Sequence, residues 1–101
     1  MFIMTRSVYP PARAVEISKR FIKAGENPFP SFMKRLHVLT CAIGGDGIEV
    51  VSLYNIEDAK IVDAYKEFMK YFSGFFDVEG FRYEIKPMMT AQEAIPLIMP
   101  K

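Results

Sequence analysis

Met33-Lys34-Arg35-Leu36-His37-Val38-Leu39-Thr40-Cys41-Ala42-Ile43, followed by Gly44-Gly45-Asp46-Gly47 and then Ile48-Glu49-Val50-Val51-Ser52-Leu53-Tyr54, is the stretch on which the fold turns. Two runs rich in valine, isoleucine and leucine flank a glycine cluster that supplies the positive backbone angles of a tight reversal, so residues 33–54 read as a β-hairpin. In the first run Leu36, Val38 and Ala42 alternate with His37, Leu39, Cys41 and Ile43. Both sides are largely apolar. The second run repeats the pattern at Val50, Val51 and Leu53, whereas a strand with one wet face alternates apolar with polar residues. Each face of this hairpin therefore needs a cover.

Towards the N-terminus, Phe2 to Tyr9 holds Phe2, Ile3, Thr5, Val8 and Tyr9 and stops at Pro10-Pro11, which cannot extend a ladder. It is the first strand. Ala14, Ile17, Phe21 and Ala24 then recur at helical spacing up to Gly25. The opposite side of this helix carries Arg13, Glu16, Lys19, Arg20 and Lys23, a solvated face on which Glu16 can pair with Arg20 one turn on. Gly25 to Ser31 is a loop, and Phe29 and Phe32 are expected to tuck beneath it.

Towards the C-terminus, Asn55 and Asp58 suit the start of a second helix that runs to about Ser73. Val62, Tyr65, Met69 and Phe72 form its expected apolar stripe, flanked by Ile61, Phe68 and Phe75, while Asp63, Lys66, Glu67 and Lys70 form its wet side. Phe81, Tyr83 and Ile85 alternate with Arg82, Glu84 and Lys86 as a fourth strand that Pro87 ends. The tail, Met88 to Lys101, holds a short helix around Ala91 to Ala94 and is too apolar to stand free in water.

Composition narrows the classes. The chain has 101 residues, 13 basic and 12 acidic side chains, 50% apolar and 25% charged residues, values that fit one folded domain over residues 1–101 and exclude a disordered chain. A formal net charge of +1 without like-charge blocks leaves no field to attract nucleic acid or an acidic membrane surface. Met1-Phe2-Ile3-Met4 is broken by Arg6 and does not continue as a secretory signal. One cysteine, Cys41, and one histidine, His37, make neither a disulfide framework nor a metal site of the usual kind. No metal or cofactor is expected, and an unpaired cysteine suits a reducing cytoplasm.

The order strand, helix, strand, strand, helix, strand predicts an α+β ferredoxin-like plait, a four-stranded antiparallel sheet with both helices on one face. Other users of the plait are tested by their residues. The third strand lacks the basic and aromatic residues that stack RNA bases, the single cysteine excludes ferredoxins and copper chaperones, and Ser7-Val8-Tyr9-Pro10-Pro11 has too few free amides for an acylphosphatase anion cradle. Gly44-Gly45-Asp46-Gly47 precedes a strand, so no helix dipole follows it to receive phosphate.

In length, element order, two-faced apolar strands and apolar tail, the whole chain resembles the dimeric α/β-barrel superfamily. That resemblance implies a homodimer through the sheet faces, with residues 88–101 packing on the partner. Members include small monooxygenases, isomerases, decarboxylases, haem-dependent enzymes and stress-related proteins, so fold leaves function open. The first expectation is a small homodimeric protein that binds a small apolar or aromatic molecule between helices and sheet. The alternative is a cofactor-independent monooxygenase or isomerase.

Candidate residues follow from chemistry. Histidine is the side chain that titrates near neutrality, which makes His37 the candidate catalytic proton-transfer group. Arg6 interrupts an apolar strand and needs a carboxylate, Glu84 being the structural choice, or a bound anion. Tyr54, Tyr65 and Tyr83 offer hydroxyls beside apolar surface, and Phe68 belongs to an aromatic helix face with more bulk than a small core requires. Arg6, Tyr54, Tyr65, Phe68 and Tyr83 are thus the candidate ligand-binding set. Cys41 has no evident base beside it and reads as an inert small hydrophobe.

Overall fold

A computed structural model describes residues 1–99. Its elements are β1 (Phe2–Tyr9), α1 (Ala14–Ala24), β2 (Met33–Ala42), β3 (Ile48–Ile56), α2 (Ile61–Ser73), β4 (Arg82–Met88) and α3 (Ala91–Ile98). The strands form one sheet in the order β2-β3-β1-β4 with every neighbouring pair antiparallel. This is the ferredoxin-like plait that the element order predicts. The hairpin at its heart is held by Ile43 and Gly47, whose backbone groups meet at 2.8 Å.

Register assigns each side chain to a face, because directly paired residues project together and successive ones alternate. Ile3, Thr5, Ser7 and Tyr9 of β1 point the same way as Val50, Ser52, Tyr54 and Ile56 of β3 and as Met33 of β2. Onto this side α2 places Ala64, Phe68 and Phe72, all buried, and the loop after α1 adds Phe29. At the other end of the same side Tyr9, Ile17, Phe75 and Val78 close a second cluster under α1. Aromatic edges set the geometry: the Phe29 ring meets Tyr54, Phe68 and Tyr71 at centroid distances of 5.5, 5.0 and 5.1 Å.

The opposite side of the sheet is partly open, although Val8, which projects there, is buried. Leu39, Val51, Arg6 and Glu84 form one row across the four strands, and His37, Leu53, Met4 and Lys86 form the next. Leu39 stands 66% exposed there. α3 buries none of its residues against the rest of the chain, although a complete capping box between Thr90 and Glu93 fixes its start.

Several sequence expectations shift. Asn55 is exposed in β3 rather than capping a helix; a short 3₁₀ turn at Asp58–Lys60 leads into α2, and no side chain caps either element. The buried face of α2 is centred on Ala64, Phe68 and Phe72, while Val62 and Met69 face solvent. The apolar residues of α2 span so much of its circumference that hydropathy alone misplaces the centre by about one position. β4 continues through Pro87 to Met88, a course open to proline because β4 is an edge strand. The tail helix is longer than expected and includes Pro96, and the tail's last two residues lie outside the described ones.

The basic face of α1 has a fixed role in the fold. Arg20 reaches Glu16 at 2.7 Å, as its spacing predicts, and Asp77 beyond α2 at 2.7 Å, while its Nη1 donates to the Gly74 carbonyl at 3.0 Å. This Arg20 pairing lowers the Asp77 carboxyl from 3.8 to about 2. A depressed carboxyl contributes stability that is complete above its unfolded value and lost as pH falls through the folded one, so the link persists at pH 4 and opens near pH 2. Carbon-detected NMR titration of Asp77 should give that midpoint, and Arg20→Gln should return it to the ordinary aspartate range.

Gly47 marks the tightest approach of the hairpin. Its φ is +111°, and a Cβ there would lie 2.0 Å from the Tyr9 carbonyl oxygen. Left-handed backbone alone costs a residue with a side chain about 1–2 kcal/mol, and here the obstacle is fixed backbone. Gly47→Ala is expected to cost at least about 2 kcal/mol in urea denaturation, whereas Gly45→Ala, with open space around it, should change little.

Candidate ligand-binding site

The site begins with an irregularity in β2. Arg35 pairs with Tyr54 and His37 pairs with Leu53, so Leu36 is an extra residue opposite none. Such a bulge inverts the alternation on one side of it. Arg35 consequently shares the helix-facing side with Val38 and Thr40, and His37 shares the open side with Leu39 and Cys41.

Between the edge strand β2 and the helices lies a cavity of about 240 Å³. Val38, Thr40 and Val50 form its sheet side, Phe21 and Tyr71 its helix side, and Gly25 and Pro28 its loop wall, with Tyr9 at one end and Arg35 at the other. A deeper chamber of about 20 Å³ shares Arg35, Phe21, Val50 and Tyr71 with it and adds Thr5, Ser7, Ser52 and Tyr54. That chamber is large enough for about one water molecule. Thr5, Ser7 and Ser52 are buried, an unusual concentration of hydroxyls at the centre of a sheet face packed against helices.

Arg35 is held from two directions. Its Nη1 donates to the Glu26 carbonyl, its Nη2 lies 3.5 Å from the Ser52 hydroxyl, and its guanidinium carbon sits 5.9 Å above the Tyr54 ring. Its Nε is buried and has no hydrogen-bond partner. Among the described residues no carboxylate pairs with it. Burial raises the phenols of Tyr54 and Tyr71, the latter to about 12, while the Arg35 charge pulls against both. The two tyrosines are neutral hydroxyl groups at physiological pH.

No protein-family model matches the chain, and no curated protein matches it. Among solved structures, a formyltetrahydrofolate deformylase from Pseudomonas putida is similar at 10% identity and a TM-score of 0.46, over 86% of this chain and 28% of that one. The chain thus spans little more than a quarter of that enzyme. A protein from Agrobacterium tumefaciens is similar at 12% identity and a TM-score of 0.45, over 90% of this chain and 96% of that one.

Of the residues singled out from sequence, Tyr54 borders the inner chamber. Phe68 is wholly buried beside it, 5.0 Å from the Tyr54 ring, and serves as core. Tyr65 and Tyr83 pack on the same core, Tyr83 stacked 4.9 Å from Phe72, and neither lines the cavity. Arg6 projects from the other side of the sheet, where it meets Glu49 at 2.6 Å and Glu84 at 3.8 Å. Its nearer partner is therefore on β3, diagonally across the pair with β1. His37 is exposed on that same open side and borders a shallow groove with Lys34 and Glu26. The residue that sequence reasoning missed is Arg35. Its signal was present as a cation in an apolar strand, but the bulge that turns it inward leaves no mark in the hydropathy pattern.

No helix among the described residues is long and apolar enough to cross a membrane, and no group of three metal-ligating side chains converges there.

Proposed function

We propose that this chain is a small homodimeric binding protein that takes a small, largely apolar or aromatic molecule between its helices and sheet. The observation that carries the reading is the cavity beside β2, whose walls are mostly aliphatic and aromatic and which one guanidinium, that of Arg35, lines. Specific small-molecule sites combine an apolar lining with a few placed polar groups in this way.

Dimerisation through the open sheet face supplies the cover that Leu39, Val51, Leu53 and Met4 lack. The charges along the middle of that face are matched, Arg6 with Glu49 and Glu84 and Lys86 with Glu84 at 2.8 Å. Lys34 and Arg82, at the outer ends of β2 and β4, have no ion-pair partner among the described residues and would sit at the rim of such an interface. α3 offers a second apolar surface, Ile95, Leu97 and Ile98, for the partner. A reducing cytoplasm suits the exposed, unpaired Cys41.

The enzymatic alternative draws less support. His37 and Arg6 stand across the sheet from the cavity, and none of the cavity's lining residues is a histidine or carboxylate that could take a proton near neutrality. A native mass spectrum of gently purified protein tests the proposal in one measurement. A dimer carrying extra mass is the expected result, and a bare monomer that binds no small aromatic on addition would overturn it.

A further inference from the structure

Arg35 gives the cavity a chemical preference. A guanidinium is always charged and seeks a planar acceptor, ideally a carboxylate that takes two of its N–H groups at once. In this fold the side-on edge formed by Nε and Nη2 is unclaimed except for the long 3.5 Å approach of Nη2 to Ser52. An unpaired donor in a buried setting costs free energy that a well-placed acceptor recovers. The other cations of the chain do not line this cavity or its inner chamber. One fixed positive charge among largely apolar walls matches one negative charge, and a dianion would bring a second charge that no other cation of the lining compensates.

Size narrows the ligand further. About 240 Å³ falls below the range of roughly 300–1,000 Å³ usual for drug-sized ligands, which excludes nucleotides and other large cofactors. Phe21, Tyr71 and Tyr9 suit the faces of a flat ring, and Thr5, Ser7 and Ser52 bring hydroxyls to the end where the charge is received.

We propose, building on the binding function above, that the ligand is a small monocarboxylic acid with an apolar or aromatic body about the size of one substituted ring, its carboxylate held on the Nε–Nη2 edge of Arg35. Nε is closed to solvent in the free protein, so binding requires the guanidinium to swing from Ser52 toward the cavity, where the carboxylate gives Nε its partner. Tyr71 and Thr40 flank the body of the ligand, and the bulge at Leu36 is what makes β2 capable of presenting an arginine here.

Titration of the isotope-labelled protein near pH 7 with benzoate, its neutral counterpart benzamide, toluene and inorganic phosphate, followed by amide shifts, tests this. Benzoate should saturate the amides of Arg35, Thr40, Val50 and Tyr71, with benzamide at least about tenfold weaker and phosphate without effect there. Arg35→Gln should bring the ratio of benzoate to benzamide affinity down to about one. If Arg35→Gln does not fold, Arg35→Lys keeps the charge and removes the side-on edge, and the ratio of benzoate to benzamide affinity should still fall severalfold. Equal binding of benzoate and benzamide to the unaltered protein would overturn the carboxylate assignment and leave the binding function standing. Phosphate binding as well as benzoate would also overturn it, because charge alone would then suffice. No shift at the cavity with any of the four would instead overturn the binding function itself.

Discussion

On the proposed sheet-to-sheet pairing, Leu39→Glu is expected to leave a monomer at micromolar concentration without loosening the fold. Leu39 is 66% exposed in the isolated chain, so a carboxylate there is solvated and costs the monomer little. Across a sheet-to-sheet interface the same carboxylate would be buried in the row of Leu39, Val51, Arg6 and Glu84, whose one cation, Arg6, already has acidic partners, while the unpaired Lys34 and Arg82 of this face lie at the outer ends of β2 and β4. Stranding a charge in an interface costs about 2–5 kcal/mol, equivalent to roughly 30-fold to several thousand-fold in dissociation constant. Sedimentation equilibrium should therefore show a mass near one chain for the variant and near two for the parent. An unchanged mass for both Leu39→Glu and Leu53→Glu, with circular dichroism preserved, would mean that something other than a second sheet covers this face.

Phe68→Ala should be among the most damaging single changes in the core. The side chain is wholly buried, and its ring meets Phe29 and Tyr54, each at a centroid distance of 5.0 Å. Removing a buried phenylalanine costs about 3–5 kcal/mol, a large share of the stability of a domain this size. The melting temperature should fall by on the order of 20 °C. The neighbouring Met69→Ala provides the contrast, because Met69 is 58% exposed and should shift stability by no more than about 0.5 kcal/mol. The pair locates the buried face of α2 by energy, independently of hydropathy.

That contrast also shows where sequence reading reaches its limit. The hairpin at Ile43–Gly47, the α1 stripe of Ile17 and Phe21, and the alternation of Phe81, Tyr83 and Ile85 are local patterns, each enforced by backbone geometry within a few residues. They are legible because a turn or a periodicity has no competing solution there. α2 differs: residues such as Val62, Ala64, Phe68, Met69 and Phe72 offer apolar surface in nearly every direction, and only the sheet beneath decides which arc is buried. The partner of Arg6 is likewise set by strand register, which brings Glu49 closer than Glu84. Arg35 is the sharpest case. Counting alternation back from Val38 through Leu36 places Arg35 beside His37 on the open side, and one unpaired residue reverses that assignment for everything before it. Tyr54 could be named from its chemistry, whereas the cation that joins it could not.

The displaced Leu36 has a further consequence, for solubility. The two outer strands of the sheet are protected unequally. β4 carries Arg82, Glu84, Lys86 and Pro87, which discourage another chain from adding to its free backbone groups. β2 instead presents Val38 and Leu39 along an otherwise regular edge, a ready template for strand addition. A bulge twists and interrupts such an edge, so the residue that turns Arg35 inward also keeps β2 from recruiting neighbours. Deleting Leu36 would straighten the strand, and loss of the inward-facing Arg35 is expected to be accompanied by a tendency to form fibrils.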